Sequence, residues 1–187
     1  MSVKDILMVG RGQLHAAKYT DTSLPDPATF LPLGNAPVID YNLEGDKIEH
    51  FSSLEGWKYL DKVQKLLQGY TVSFSLEEIT GENLALFLQG SYTPPAAGAD
   101  GRVDAFTDAD AEYYLKFVPK NPDPDVPQWE FHFYRCSLEI SGDAHSLISE
   151  EPQTLVLTAT GLKAYSLGAG DHPYSNFMSA ILTGSAT

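Results

Sequence analysis

Cysteine is almost absent. Cys136 stands alone among 187 residues, so no disulfide can form within the chain and no thiolate cage can hold zinc. Histidine offers no substitute, because His15, His50, His132, His145 and His172 are scattered and no pair shares a helical or strand face at ligand spacing. A structural metal is thereby excluded, and no cofactor is expected. Long hydrophobic runs are missing as well: the longest near the start is Ile6 to Val9, against about 20 residues for a bilayer span and about 7 to 15 for a signal-peptide core. This predicts a protein made in the cytosol, without a membrane anchor. Basic residues are scarce, 12 against 25 acidic ones, for a net charge of −13 and a pI near 4.6. Binding to nucleic acid by phosphate neutralisation is excluded on that ground, since it needs clustered Lys and Arg. No unit of about 20 to 50 residues recurs, which disfavours a propeller or solenoid.

What is present is a period of two. Tyr70, Val72, Phe74 and Leu76 alternate with Thr71, Ser73, Ser75 and Glu77, the pattern of a strand with one buried and one wetted face. The same device recurs over 38–44, where Ile39, Tyr41 and Leu43 are expected to face inward and Asp40, Asn42 and Glu44 outward. Over 132–140, Tyr134, Cys136, Leu138 and Ile140 form the expected apolar face, opposite Phe133, Arg135, Ser137 and Glu139. Ionic groups keep that second face out of a core. Further strands are expected at 112–118, carrying Tyr113, Leu115 and Phe117, and at 153–160, with its run Leu155, Val156 and Leu157. A weaker strand candidate runs from Asp5 to Lys18, interrupted by Gly10 and Gly12.

One segment departs from this rhythm. Leu84, Phe87 and Leu88 fall at i, i+3 and i+4 between Thr80, a candidate N-cap, and Gly90, a candidate end. A short amphipathic helix over 80–90 is expected, its stripe buried on a sheet because some ten residues cannot hold a helix alone in water. Prolines at 25, 27 and 32 punctuate a first loop, and 93–110 and 121–127 read as exposed loops. A chain of about this size buries roughly 70% of its unfolded surface, so 1–187 reads as one domain. Many strands, one helix and no alternating βαβ order indicate a mainly β, mostly antiparallel sandwich or barrel.

Catalytic signatures are lacking. Gly10-Arg11-Gly12 is followed by Gln13 and Leu14 rather than the Lys and Ser or Thr of a phosphate loop. Asp108, Asp110 and Glu112 have the alternation of a calcium loop, but Tyr113 occupies the position of its obligatory glycine. Asp123 and Asp125 sit in a proline-rich loop where neither carboxylate would be desolvated enough to act as an acid. Cys136 falls on an apolar strand face, where a thiol is a small core residue, and His132 lies about 13 Å from it along the strand. No Gly-x-Ser-x-Gly elbow occurs. The sequence predicts no enzyme.

From Gly10 to Gly90 the chain resembles the tail tube proteins, the major tail proteins of long-tailed, non-contractile bacteriophages. The elements that carry the resemblance are Gly10-Arg11-Gly12-Gln13-Leu14, the turn Leu33-Gly34-Asn35-Ala36-Pro37, and Glu49-His50-Phe51-Ser52-Ser53 running into Gly56. The strand Val72 to Leu76 then passes into Glu77-Glu78-Ile79-Thr80-Gly81-Glu82-Asn83-Leu84-Ala85. The second half is similar to the family in strand rhythm only, through Trp129 to Ile140 and Thr154 to Lys163.

The resemblance implies an antiparallel β-sandwich or barrel of the tail tube type, with one short flanking helix and a long inter-ring loop or hairpin. It further implies a homo-oligomer, in which hexameric rings stack into a tube that meets tape measure, terminator and distal tail proteins at its ends. Genomic DNA passes through such a tube without specific binding, and the protein belongs to the virion. Lumen candidates are then Thr71, Ser73, Ser75, Glu77, Ser137 and Glu139. Assembly candidates on the 44–67 loop are Phe51, Leu54, Trp57, Lys58, Tyr59, Lys62 and Lys65, with aromatics of the kind interface cores favour. The C-terminal arm, 171–187, is open to two roles, covering its own domain or meeting a partner. Two other readings stay open: a monomeric carbohydrate-binding sandwich using Tyr92, Trp129 or Tyr165, and another virion part such as a tail terminator or capsid decoration protein.

Overall fold

Alternation of apolar and polar residues becomes antiparallel strands along most of the chain. The computed structural model describes residues 12–20, 25–54, 57–120, 128–140, 154–164 and 178–183. Its strands are β1 (Gly12–Lys18), β2 (Leu31–Pro32), β3 (Val38–Leu54), β4 (Trp57–Leu76), β5 (Ser91–Thr93), β6 (Arg102–Asp104), β7 (Glu112–Pro119), β8 (Gln128–Ile140), β9 (Leu155–Gly161) and β10 (Met178–Thr183). One α-helix, α1 (Gly81–Phe87), occurs among the described residues. The main sheet has the order β2-β1-β7-β8-β9-β4-β3, and β5 and β6 form a separate two-stranded ribbon. Along one edge of β8, β10 pairs with residues 128–133 and β9 with 136–140. The protein is mainly β and antiparallel, and the sheet does not close on itself among the described residues.

The core lies on one face of this sheet. Leu14 of β1, Tyr113 and Leu115 of β7, Cys136 and Leu138 of β8, Leu157 and Ala159 of β9, and Val72, Phe74 and Leu76 of β4 all join one buried cluster. Residues from strands as far apart as β1 and β4 share that cluster, so the sheet curls around it. Leu86 and Phe87 of α1 complete it.

The α1 helix begins as its sequence indicates: the Thr80 hydroxyl accepts from the Asn83 backbone N–H at 3.1 Å, and Glu82 sits in the positive first turn. Its buried sector is wider than the expected stripe. Asn83, Ala85, Leu86 and Phe87 are buried, whereas Leu84 and Leu88 are only half-buried against the core. The left-handed residue at its end is Gln89, at φ 49°, not Gly90. Gly90 is needed for another reason, since a Cβ there would collide with the Asp104 backbone of the ribbon packed on the helix end.

Strict alternation fails in β8. Tyr113 pairs with Cys136 and Leu115 with Phe133, so two β8 residues, Tyr134 and Arg135, oppose the single Tyr114. Such a bulge shifts the side-chain parity. Phe133 therefore enters the core beside Cys136, correcting its expected place on the polar face, while Tyr134 leaves it for a second cluster with Tyr19, Tyr114 and Ala164. There the Tyr114 ring meets Phe30 and Tyr134 edge-on, at centroid distances of 5.2 and 5.4 Å. Ile140, expected inward, is exposed at the strand end.

Other boundaries also move. The 93–110 stretch, expected to be a loop, includes β6 and the end of β5. Within 171–187, residues 178–183 are the strand β10, laid against β8 with Met178 packed on the core. The 121–127 loop, the first part of the Asp5 to Lys18 candidate, and His145, Tyr165 and His172 lie outside the described residues.

Candidate functional site

Two surfaces stand out, and both belong to the β3–β4 hairpin. The first is the sheet face opposite the core. Register places Asp40, Ser73, Thr158 and Glu139 in one cross-strand row, and Asn42, Thr71, Thr160 and Ser137 in the next. Side chains in register on neighbouring strands share a face, so β3, β4, β9 and the end of β8 present a continuous band of hydroxyls, amide and carboxylates. Ser73 and Thr158 hydroxyls lie 3.4 Å apart, and the Thr71 hydroxyl donates to the Glu44 carboxylate at 3.3 Å. This face carries Asp40, Glu44 and Glu139 and no lysine or arginine over 38–44, 71–75, 156–160 and 137–139. At its margin Arg135 is bound in a fork by Glu112, at 2.6 and 2.7 Å, and donates to the Lys163 carbonyl at 3.1 Å.

Thr71, Ser73, Ser75, Ser137 and Glu139 are thus brought onto one surface. Glu77 is not among them: it follows the last residue of β4, and its carboxylate is bound by the Asn35 side-chain amide. Thr158, Thr160, Asp40 and Asn42 complete the face; Asp40 and Asn42 were expected to point outward, but none of the four was among the lumen candidates. The alternation of Thr158 and Thr160 with Leu157 and Ala159 was available, but the run Leu155-Val156-Leu157 obscured it.

Behind the polar face, Tyr70 covers Gly161, where a Cβ would collide with the tyrosine ring. The Tyr70 hydroxyl donates to the Arg135 carbonyl at 3.2 Å and lies 3.4 Å from the Cys136 sulfur. Burial raises the Tyr70 phenol and pushes the Cys136 thiol up to about 12. A thiol so disposed stays protonated at neutral pH and does not act as a nucleophile.

The second surface is the outer part of the same hairpin. Residues 44–67, expected to be a long loop or hairpin, are a two-stranded ribbon, paired from Glu44 opposite Gly69 to Leu54 opposite Trp57. Eleven residues from Glu44 to Leu54 extend about 35 Å. Leu66 and Asp61 are extra residues at two irregularities in the register. These breaks, together with the absence of a buried side, leave no clean period of two to read. Trp57 is 80% exposed, and Ile48, Phe51, Tyr59, Leu60 and Val63 are also exposed large apolar groups. They occupy both faces of the ribbon, since Phe51 pairs with Leu60 while the neighbouring Ser52 pairs with Tyr59. Lys58 lies 4.7 Å above the Phe51 ring, and His50 Nδ1 is 2.6 Å from Asp61. Lys62 and Lys65 are exposed and make no ion pair among the described residues. Leu54 lies at the end of β3, and nothing of its side chain is described.

The two surfaces share an open edge. β3 pairs with β4 on one side and has no partner on the other among the described residues, so up to 17 residues of backbone donors and acceptors lie along a free margin.

A third cluster lies on the outer face of β1, β7, β8 and β10. His15, Lys116, His132 and Ser179 follow one another across the strands. The His132 ring is 2.6 Å from the Tyr114 hydroxyl and 3.3 Å from Glu130. Burial lowers both histidines below 6.5, with Lys116 adding to the effect. No group of three His, Cys, Asp or Glu among the described residues is placed to hold a metal ion. Tyr92 lies in the β5–β6 ribbon and Trp129 near the start of β8, so these two aromatics stand on separate sheets.

Residues 7–102 match the family described as protein of unknown function UCP028589. No curated protein matches the chain.

Proposed function

We propose that this chain, which belongs to the family of unknown function UCP028589, is a structural subunit that polymerises through stacked hexameric rings into the tail tube of a long-tailed bacteriophage. The observation that carries this reading is the polar, carboxylate-bearing face of β3, β4, β9 and β8, which ends at the margin of β3 that has no partner among the described residues. An exposed margin of this length is a hazard for a monomer unless something covers it. Identical copies offer one way to cover it, by continuing the sheet around a ring. The polar face would then line the bore, and the curled sheet would supply one segment of a closed barrel.

Charge supports that orientation. Duplex DNA is densely negative, and a wall bearing Asp40, Glu44 and Glu139 without compensating lysines repels it. Repulsion favours passage over sticking, which is the requirement of a conduit. The projecting ribbon, with large apolar groups on both faces, would bridge successive rings, and tape measure, terminator and distal tail proteins would meet the tube ends.

Electron microscopy and sedimentation velocity of the purified protein across a wide concentration range test the reading together. Rings or hollow tubes that grow with concentration are expected. A protein that remains a monomer at every concentration, with the β3 margin protected from hydrogen exchange, would overturn it.

A further inference from the structure

We infer that the hairpin ribbon of one copy seats on a particular corner of a second copy, built from α1, the β5–β6 ribbon and the 105–111 segment that follows it. This contact rests on the assembly reading above and names its partner surface. Residues 44–67 carry four lysines against five carboxylates, whereas the rest of the chain carries eight basic against twenty acidic residues. Two bodies therefore repel, and the nearly neutral ribbon is the part of one copy that approaches another at least electrostatic cost. Lys62 and Lys65 lack ion-pair partners among the described residues, and Lys62 stands opposite His50, next to the exposed Phe51 that Lys58 also covers.

The corner is its complement in both charge and apolar surface. Residues 81–111 carry five carboxylates and a single basic residue, Arg102; Asp104 is paired with Arg102 at 3.1 Å and Asp108 with Lys18, while Glu82, Asp100 and Asp110 make no ion pair among the described residues. Phe106 is 67% exposed there. Its backbone is held at φ 57°, with its N–H bonded to the Leu88 carbonyl at 3.0 Å, so the ring is presented from a fixed turn at the end of α1. Asp110 is exposed within the same turn. An aromatic surrounded by carboxylates fits an aromatic flanked by lysines, with ring contact at the centre and ion pairs around it.

Other faces fit less well. The outer side of β1 and β7 presents Lys116, which matches the lysines of the ribbon in sign. The polar face of β3, β4 and β9 offers no large aromatic.

A charge-reversal experiment tests the pairing. K62E/K65E and D104K/D110K are each expected to raise the protein concentration needed for polymerisation at least tenfold, with circular dichroism and thermal melting of the monomer unchanged. The two variants mixed in equal amounts, or combined in one chain, are expected to recover most of that loss, because ribbon and corner are again opposite in sign. A fold-independent check places single cysteines at Ser53 and Ala105 on separate copies, Cys136 being buried. Mild oxidation is expected to give the mixed Ser53→Cys and Ala105→Cys dimer in preference to either homodimer.

If wild-type tubes form but reversal has no effect, or the mixed variants show no recovery, the corner is wrong while the tube reading stands. Absence of the mixed disulfide in assembled protein likewise overturns the corner. If the wild-type protein never associates, both fall.

Discussion

The inner and outer halves of the β3–β4 hairpin are made of the same two strands, yet they are different kinds of surface. In the inner half, Val72, Phe74 and Leu76 are fully buried, because β9 pairs with 71–76 and the curled sheet closes over that face. In the outer half no strand pairs beyond the ribbon itself among the described residues, and large apolar groups remain in water, with Ile48 53% and Trp57 80% exposed. Burial is thus set by what lies over the ribbon. Two-stranded ribbons are marginal alone, so the outer half depends on the inner half for its order.

Substitutions sharpen this contrast in a definite order. Phe133→Ala, in the core beneath the inner half, should destabilise the monomer by about 3 to 5 kcal/mol, measured as a shift in urea midpoint at constant slope. A loss below about 1 kcal/mol would mean that the bulge does not commit Phe133 to the core. Next comes Thr80→Ala, which removes the hydroxyl cap of α1 and should cost about 1 kcal/mol; the same denaturation experiment reads it.

Acid should act on the body in a predictable direction. His15 and His132 have lowered values in the folded chain, first through burial. The unfolded chain therefore takes up protons at these sites first, so their contribution to stability is complete above about pH 6.5 and declines as pH falls below it. Denaturant midpoints at pH 7.5 and 5.5 should differ in that sense, and His15→Gln with His132→Gln should narrow the difference. An unchanged gap would assign the acid sensitivity to other groups.

The smallest monomer effect is expected in the outer half. Trp57→Ala should leave the melting temperature of the isolated chain nearly unchanged, within about 0.5 kcal/mol, while polymerisation becomes poor. Tubes of normal length from that variant would remove Trp57 from the assembly surface, and a large loss of monomer stability would show that the ribbon folds back on its own body.

Legibility followed the same division. Strands buried on one face were readable, as Tyr70 to Leu76 illustrates, because the core imposes a period of two on sequence. The helix start was readable because Thr80 and Glu82 act locally, through a hydrogen bond and the positive end of the first turn. Over 44–67 a loop or hairpin was expected, but the strand register was not readable, since neither face is buried among the described side chains and Asp61 and Leu66 break the parity. Phe133 and Tyr134 were assigned to the wrong faces for a related reason: a bulge is a two-against-one match between strands, and only the opposing strand β7 reveals it. Five of the six polar residues first singled out were brought onto one surface, but the four-strand row with Asp40, Asn42, Thr158 and Thr160 emerged only from register.

Sequence alone determined what is settled within a few residues: the alternation that makes strands, the cap that starts α1, the acidic balance of the chain, and the lack of cysteines for a disulfide. Tertiary structure decided what depends on residues far apart in the chain. It chose which polar strand faces merge into one wall, left the margin of β3 without a partner among the described residues, and extended 44–67 as a ribbon with its apolar groups in water. The physical reason is that backbone conformation answers to neighbours along the chain, whereas burial answers to whatever strand is laid across, and that strand is specified elsewhere.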